Sequence, residues 1–206
     1  GGAAIRAFAN NNAIMKIFNC SIVHNKAING YAGGMYIDKT EVYIYDSTIS
    51  ENDGANAGGA MRIQYSSKVL VYNTNISHNK AHKQAGGIMI WGNMDNGPCN
   101  VNITKCIIQH NKATINNQDQ HWYAGGGMLV TRNSHAIIRE TSFISNVAIN
   151  NRGHEIYMDG HLSNKGNPTI SLINTYFNNP LKENNFYEYG ESTWTQCNSH
   201  NNNLCT

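Results

Sequence analysis

The chain has 206 residues, of which 40% are hydrophobic and only 14% are charged, and its formal net charge at pH 7 is +2. That length is enough for one domain with a substantial core. The sequence has no cluster of lysine and arginine, which argues against nucleic acid as a partner. No run approaches the roughly 18 apolar residues that a membrane-spanning helix needs, so no membrane span is predicted.

A pair of glycines followed by apolar residues recurs along the chain. The copies are Gly33-Gly34, Gly58-Gly59, Gly86-Gly87 and Gly125-Gly126, and a degenerate copy follows at Gly153-His154-Glu155. The residues after each pair form short apolar runs that are typical of strands. Repeats of this kind predict a stacked architecture.

A second motif lies between the glycine pairs. It is an apolar residue, two further residues and then an asparagine, usually followed by Lys-Ala. It begins at Ile22, Ile49, Ile76, Ile108, Phe143 and Tyr176, and it ends at Asn25, Asn52, Asn79, Asn111, Asn146 and Asn179. Three short strands in each repeat of about 25–35 residues, separated by glycine and asparagine turns, predict one turn of a β-solenoid.

The predicted fold is therefore all-β, a parallel β-helix of about six coils over residues 1–180. Coils that lie about 4.8 Å apart place equivalent residues above one another. We expect the apolar residues that begin the second motif to fill the core, and the six asparagines to form an amide ladder. Each ladder asparagine is expected to take the left-handed conformation of a tight corner, and glycine to serve the other corner.

Residues 181–206 are predicted to be a C-terminal cap, arm or linker. A disulfide between Cys197 and Cys205 would stabilise a segment that has no core of its own.

The two motifs resemble the repeats of the polymorphic outer-membrane protein family of the chlamydial type. The hallmarks of that family are Gly-Gly-apolar, as at Gly33-Gly34-Met35, and Phe/Ile-x-x-Asn, as at Phe143 to Asn146. The resemblance covers roughly residues 1–180, although this chain usually has isoleucine where phenylalanine is typical. It implies a right-handed parallel β-helix and a surface-exposed adhesive or structural role.

Three Asn-x-Ser/Thr sequons occur, at Asn19, Asn75 and Asn102. Asn75 and Asn102 alternate with residues that are expected to face inward, so both are predicted to point outward, as a glycan requires. Asn19 is expected at a corner. The three are candidate glycosylation sites if the chain passes through a eukaryotic secretory pathway.

Two candidate chemical sites compete with a structural reading. Asp38, Lys39 and Glu41 would line the cleft of a carbohydrate-active β-helix enzyme, and His78 with His110, in adjacent coils, would hold a metal ion. The histidine column also contains Glu51, and this alternation favours charge pairing on a solvated face. The sequence therefore assigns no catalytic residue, no metal and no cofactor.

Two insertions, 92–98 and 114–123, are expected to form loops on one edge of the solenoid, where binding sites often lie. Trp91, Trp122 and Tyr123 are the candidate residues of a binding loop.

These features favour an extracellular structural or adhesive glycoprotein that is not an enzyme. The chain begins inside a coil, at Gly1-Gly2, and two explanations of this start compete. The sequence is a piece of a longer chain, or copies associate head to tail into a filament or surface appendage, which is the form we expect. The alternatives are a carbohydrate-active enzyme, such as a polysaccharide lyase or hydrolase, and a module that binds carbohydrate or a receptor.

Overall fold

The computed structural model describes residues 3–9, 13–114, 125–149, 153–160, 166–178 and 186–197. Within these ranges the regular secondary structure consists of strands alone. In chain order the strands are β1 (Ile5–Phe8), β2 (Ile14–Phe18), β3 (Ser21–Val23), β4 (Met35–Asp38), β5 (Glu41–Tyr45), β6 (Thr48–Ser50), β7 (Asp53–Gly54), β8 (Met61–Gln64), β9 (Lys68–Tyr72), β10 (Asn75–Ser77), β11 (Lys80–Ala81), β12 (Ile88–Trp91), β13 (Cys99–Thr104), β14 (Ile107–Gln109), β15 (Lys112–Ala113), β16 (Met128–Thr131), β17 (Ser134–Arg139), β18 (Ser142–Ile144), β19 (Val147–Ala148), β20 (Ile156–Gly160), β21 (Thr169–Ile173), β22 (Tyr176–Phe177), β23 (Phe186–Gly190) and β24 (Thr193–Cys197).

The strands stack into four sheets, and the chain passes through them in the order A, B, C and D within a coil. Sheet A contains β1, β4, β8, β12, β16, β20 and β23, and sheet B contains β2, β5, β9, β13, β17, β21 and β24. Sheet C contains β3, β6, β10, β14, β18 and β22, and sheet D contains β7, β11, β15 and β19. Neighbouring strands pair in parallel, for example β8 with β12 and β9 with β13. The predicted parallel β-helix is thereby confirmed.

Four of the coils contain a fourth strand that the sequence analysis did not separate from the asparagine turn. Lys80–Ala81 pairs with Asp53–Gly54 on one side and with Lys112–Ala113 on the other. The Lys-Ala dipeptide after the ladder asparagine is thus sheet D itself. Its alanine faces inward, since Ala81 and Ala113 are fully buried.

Apolar side chains from sheets A, B and C form one continuous core. In sheet C, Ile49, Ile76, Ile108 and Phe143 are in register and fully buried. Burial of each such side chain stabilises the fold by about 1.5–3 kcal/mol.

The sixth place in this column belongs to Phe177 rather than to the predicted Tyr176. Phe177 pairs with Phe143, and the two ring centroids stack 5.3 Å apart, whereas Tyr176 is 58% exposed. The assignment of Tyr176 to the core was wrong by one residue, because the motif spacing to Asn179 selects Tyr176 whereas the strand register places Phe177 against Phe143.

The recurring glycines allow the backbones of sheets A and D to approach closely. A Cβ atom added to Gly86 would lie 2.3 Å from the backbone nitrogen of Lys112, and one on Gly59 would lie 2.6 Å from that of Lys80. Neither glycine has a positive φ. Close backbone approach, and not a left-handed φ, is therefore the reason for glycine at these two positions.

The parallel ladders continue past residue 180, into the segment that the sequence analysis set apart as a cap, arm or linker. Strand β23 pairs with β20, and β24 pairs with β21. The solenoid thus extends to Cys197, the last residue that the structure describes.

Candidate functional site

The predicted asparagine ladder is continuous through the five positions that the structure describes. The Nδ2 of each asparagine donates to the Oδ1 of the next, over 2.9 Å from Asn25 to Asn52, 3.0 Å from Asn52 to Asn79, 2.9 Å from Asn79 to Asn111 and 2.9 Å from Asn111 to Asn146. The same Oδ1 atoms also accept the backbone N–H of the preceding ladder residue. Asn179 lies outside the described residues.

The second amide proton of the ladder side chains goes to a backbone carbonyl. Asn52 Nδ2 donates to the oxygen of Ile22 and Asn79 Nδ2 to that of Ile49, each over 2.9 Å. Polar groups that are buried this completely are tolerated only when they are hydrogen-bonded. The ladder therefore ties each coil to its neighbours through side chains as well as through the sheets.

Glu155 takes the place of the next amide at the end of this column. It occupies a position that glycine holds in the preceding coil, since Ile156 is in register with Met128 and Gly127 precedes Met128. Asn146 Nδ2 donates to Glu155 Oε2. The carboxyl group is buried, and this burial raises the pKa of Glu155.

The left-handed corner lies one residue before the ladder, contrary to the expectation for the asparagines. His24, Glu51, His78, His110 and Ser145 have φ between 52° and 58°. The amide bonds hold each asparagine inside the coil in an ordinary conformation, so the preceding residue makes the bend and its side chain turns outward.

The outward side chains of this corner form a column of mixed charge. His24 Nδ1 lies 3.2 Å from Glu51 Oε2, and the rings of His78 and His110 have centroids 5.0 Å apart. Among the described residues, no three His, Cys, Asp or Glu side chains come together as a metal site would require.

Sequence analysis missed a second ladder, made of small polar residues just before sheet C. The Oγ of Ser47 accepts the backbone N–H of Cys20 over 3.1 Å, and Thr141 Oγ1 accepts that of Cys106 over 3.2 Å. Thr74 continues the series. The signal was a small polar residue two positions before the apolar start of each asparagine motif.

The three sequons differ in accessibility. Asn19 and Asn102 are exposed, at a corner with φ 49° and within β13 respectively. Asn75 is half-buried, and its side chain donates to Ser77 Oγ over 3.3 Å and accepts from Gln109 Nε2 over 3.4 Å.

Three cysteines in the described part of the chain are free thiols. Cys20 is exposed, whereas Cys99 and Cys106 are buried. Burial raises the pKa of Cys99 to about 12 and that of Cys106 to about 11, so both stay protonated and unreactive at neutral pH. Cys197 ends β24, while Cys205, its predicted disulfide partner, lies outside the described residues.

The residues proposed for an enzymatic cleft are not brought onto one face. Asp38 ends β4 of sheet A, Glu41 begins β5 of sheet B, and Lys39 lies at the corner between them with φ 51°. Their side chains therefore do not form a catalytic pair.

Trp91 ends strand β12 and does not lie in a loop, while Trp122 and Tyr123 lie outside the described residues. On the outer face of sheet A, Trp91 belongs to a cluster that sequence analysis did not identify. We call Arg62, Trp91 and Arg132 the arginine–tryptophan patch. Arg132 reaches it from a corner with φ 59°.

Both guanidinium groups of the patch lie close to the same indole ring. The Cζ of Arg132 is 3.9 Å from the Trp91 ring centroid, and that of Arg62 is 5.2 Å from it. Arg62 Cζ also lies 4.1 Å from the ring centroid of Tyr31. Burial lowers the pKa of both arginines, but an arginine remains charged at any physiological pH.

Two polar atoms near the patch are buried without a hydrogen-bond partner, Trp91 Nε1 and Asp38 Oδ1. The other carboxylate oxygen of Asp38 accepts from Gln64 Nε2 over 3.0 Å, and Gln64 Oε1 accepts from Arg62 Nε over 2.9 Å. An unsatisfied buried polar group costs about 1–3 kcal/mol, so these two atoms mark a place where a further polar group would be stabilising.

A second apolar cluster supports the patch from the same outer face of sheet A. Met89, Leu129 and Tyr157 pack with Ala57 and Ala85, and Trp91 lies against them. The indole is thus held by packing on one side of the patch.

Comparison with protein-family models, with curated proteins and with solved structures found no match. The relation to outer-membrane protein repeats therefore remains a resemblance in motif. In the part of the chain that the structure describes, no helix has the length and apolar character to cross a bilayer.

Proposed function

We propose that the protein is a structural or adhesive β-solenoid that acts outside the cell and displays binding groups on its outer faces. The observation that carries this proposal is the asparagine ladder, in which the amides of Asn52, Asn79 and Asn111 are buried and fully hydrogen-bonded along the coil axis. Bonds of this kind join consecutive coils into a stiff rod. A rod keeps outward side chains at fixed spacings, as an adhesive surface requires.

The distribution of polar residues favours a scaffold over an enzyme. The repeating buried polar side chains bond from coil to coil, and Asp38 and Glu41 belong to different sheets. General acid–base catalysis needs such groups within reach of one substrate.

Export through a secretory pathway is the second part of the proposal. Asn19 and Asn102 are exposed sequons, accessible to the glycosylation machinery of a eukaryotic host. The filament form of the proposal adds head-to-tail association between copies.

The test uses beads coated with the purified full-length chain. We expect saturable retention on glycan-coated or cell surfaces, which is lost when the chain is denatured before coating, or ordered fibres in electron micrographs of the same preparation. Monodisperse chains without retention would contradict the proposal. Release of sugars from a polysaccharide panel by the native chain would replace it with the enzymatic alternative.

A further inference from the structure

The arginine–tryptophan patch carries two positive charges that no described residue neutralises by an ion pair, although the charge of Asp159 acts on Arg132. Arg62 and Arg132 each have five N–H donors. The one side-chain hydrogen bond between them and the described residues is that from Arg62 Nε to Gln64. The ion pairs of the described residues involve other side chains. A cation that is largely withdrawn from water without a counter-charge is costly, and Arg62 is more than nine-tenths buried.

Donors of three side chains lie around the Trp91 ring. The two guanidinium groups lie within 5.2 Å of the Trp91 ring centroid, and the buried Nε1–H of the same ring has no acceptor. The planar fork of arginine matches the paired oxygens of a carboxylate or sulfate group. Such a group would offset the charge and accept the orphaned indole proton.

The surroundings of the patch favour a ligand that also carries hydroxyl groups. Asp38 precedes Trp91 by two coils in the same column of sheet A, a separation of about 9.6 Å at 4.8 Å per coil. Its buried Oδ1 lacks a donor. Tyr31, which is 47% exposed, places an aromatic ring beside Arg62.

The carboxylates nearby do not occupy the patch. Asp38 Oδ2 is bonded to Gln64, and Asp159 Oδ2 accepts from Thr131 Oγ1 over 3.2 Å. Each of these carboxylates has a hydrogen-bond partner of its own, although the charge of Asp159 partly offsets the lowering of the Arg132 pKa by burial.

We propose that the arginine–tryptophan patch binds an acidic saccharide, with a carboxylate or sulfate group at the guanidinium groups and a sugar hydroxyl donating to Asp38. This assignment rests on the adhesive form of the proposed function and names its ligand class. Trp91 Nε1 and Asp38 Oδ1 are both buried in the structure, so binding requires the groups that cover these two atoms to shift.

Calorimetric titration of the full-length chain tests the assignment with four probes. Trigalacturonate presents carboxylates, a heparin hexasaccharide presents sulfates, maltotriose is neutral, and sodium sulfate is the bare anion. We expect one-to-one binding of at least one acidic saccharide, at least tenfold tighter than maltotriose or sulfate. Heparin carries carboxylates as well as sulfates, so binding of the heparin hexasaccharide without binding of trigalacturonate would identify sulfate as the recognised group, and binding of trigalacturonate would identify the carboxylate.

Arg132→Gln is the main variant, since Arg132 is half-buried and its loss leaves the core intact. We expect it to weaken binding at least tenfold while the thermal midpoint stays near that of the parent. Lys112→Gln is the matched control, because Lys112 is exposed on β15 of sheet D and its replacement removes the same charge. Its affinity should equal that of the parent.

Three results would overturn the assignment: no binding of either acidic saccharide, equal weakening in Arg132→Gln and Lys112→Gln, or sulfate that binds as tightly as the saccharides. The bead assay separates the two proposals. Retention on surfaces without binding of the acidic probes would leave the adhesive function standing and remove the ligand assignment, whereas loss of retention removes the adhesive function itself.

Discussion

Replacement of Asn79 by alanine removes one complete rung of the asparagine ladder. Asn79 is fully buried. Its Oδ1 accepts from both the backbone N–H and the Nδ2 of Asn52, and its Nδ2 donates to Asn111 Oδ1 and to the carbonyl oxygen of Ile49.

One of the former partners is left with no hydrogen bond. The Asn52 backbone N–H loses its acceptor, whereas the Ile49 carbonyl keeps its place in the ladder between β6 and β10. Asn52 Nδ2 still donates to Ile22, and Asn111 Oδ1 still accepts the Asn79 backbone N–H. A buried orphan costs about 1–3 kcal/mol. We therefore expect Asn79→Ala to lower the free energy of unfolding by at least about 1–3 kcal/mol, a substantial share of the 5–15 kcal/mol of a typical domain.

Urea unfolding followed by far-ultraviolet circular dichroism measures this loss. If parent and variant have the same m-value, their free energies of unfolding can be compared directly. A broader unfolding transition in the variant would show that the coils no longer unfold together. Asn100→Ala is the matched control, because Asn100 is exposed on β13, and such surface changes usually stay within about 0.5 kcal/mol. The ladder argument fails if Asn79→Ala costs no more than Asn100→Ala.

Three further changes probe the glycine corner, the end of the ladder and the thiols. Gly86→Ala forces a Cβ to 2.3 Å from a backbone nitrogen, so we expect the free energy of unfolding to fall by at least about 2 kcal/mol; an unchanged urea midpoint would refute the close approach. Burial raises the pKa of Glu155, which means that the folded state binds the proton more tightly and that stability falls as pH rises from the unfolded pKa through the folded one. We therefore expect Glu155→Gln to be more stable than the parent at pH 7 and not to lose this stability as the pH rises. If the free energy of unfolding, measured in urea at pH 4 and pH 7, changes equally in both proteins, this reasoning is wrong. Iodoacetamide should label Cys20 in the native chain but label Cys99 and Cys106, with pKa values of about 12 and 11, only after unfolding; mass spectrometry that finds Cys99 alkylated in the native chain would show that the core opens.

Most of the architecture could be predicted because every coil of a solenoid uses the same local sequence pattern to form the same strands and turns. Ile49, Ile76 and Ile108 recur with asparagine three residues later, and the structure places them in register. In a parallel stack, residues that recur once in each repeat lie above one another. The recurrence of the asparagine motif was therefore enough to predict the asparagine ladder. The same reasoning chose Tyr176 over Phe177, because only Tyr176 has an asparagine three residues later, and the structure shifts the register of this coil by one residue.

Backbone conformation was predicted less well than position. Asparagine is the residue that most often accepts a left-handed corner, yet His78 and Glu51 adopt it here while the adjacent asparagines do not. Four hydrogen bonds at Asn79 outweigh a conformational preference of about 1 kcal/mol. The preference of a residue type for the left-handed conformation is a local property, whereas the ladder asparagines are stabilised by hydrogen bonds to the coils above and below.

The arginine–tryptophan patch could not be found from the repeat because it depends on departures from it. In sheet A the position of Trp91 is held by Gln64 in the preceding coil and by Thr131 in the following one. The next corner position is Tyr65, Gly92 and Arg132 in successive coils. A Cβ on Gly92 would lie 1.7 Å from the carbonyl oxygen of Asn133, so glycine at this position allows the backbone after Arg132 to approach closely while the Arg132 side chain lies against the indole. Residues that stack in like columns build the solenoid, and the arginine–tryptophan patch arises where one coil departs from its column.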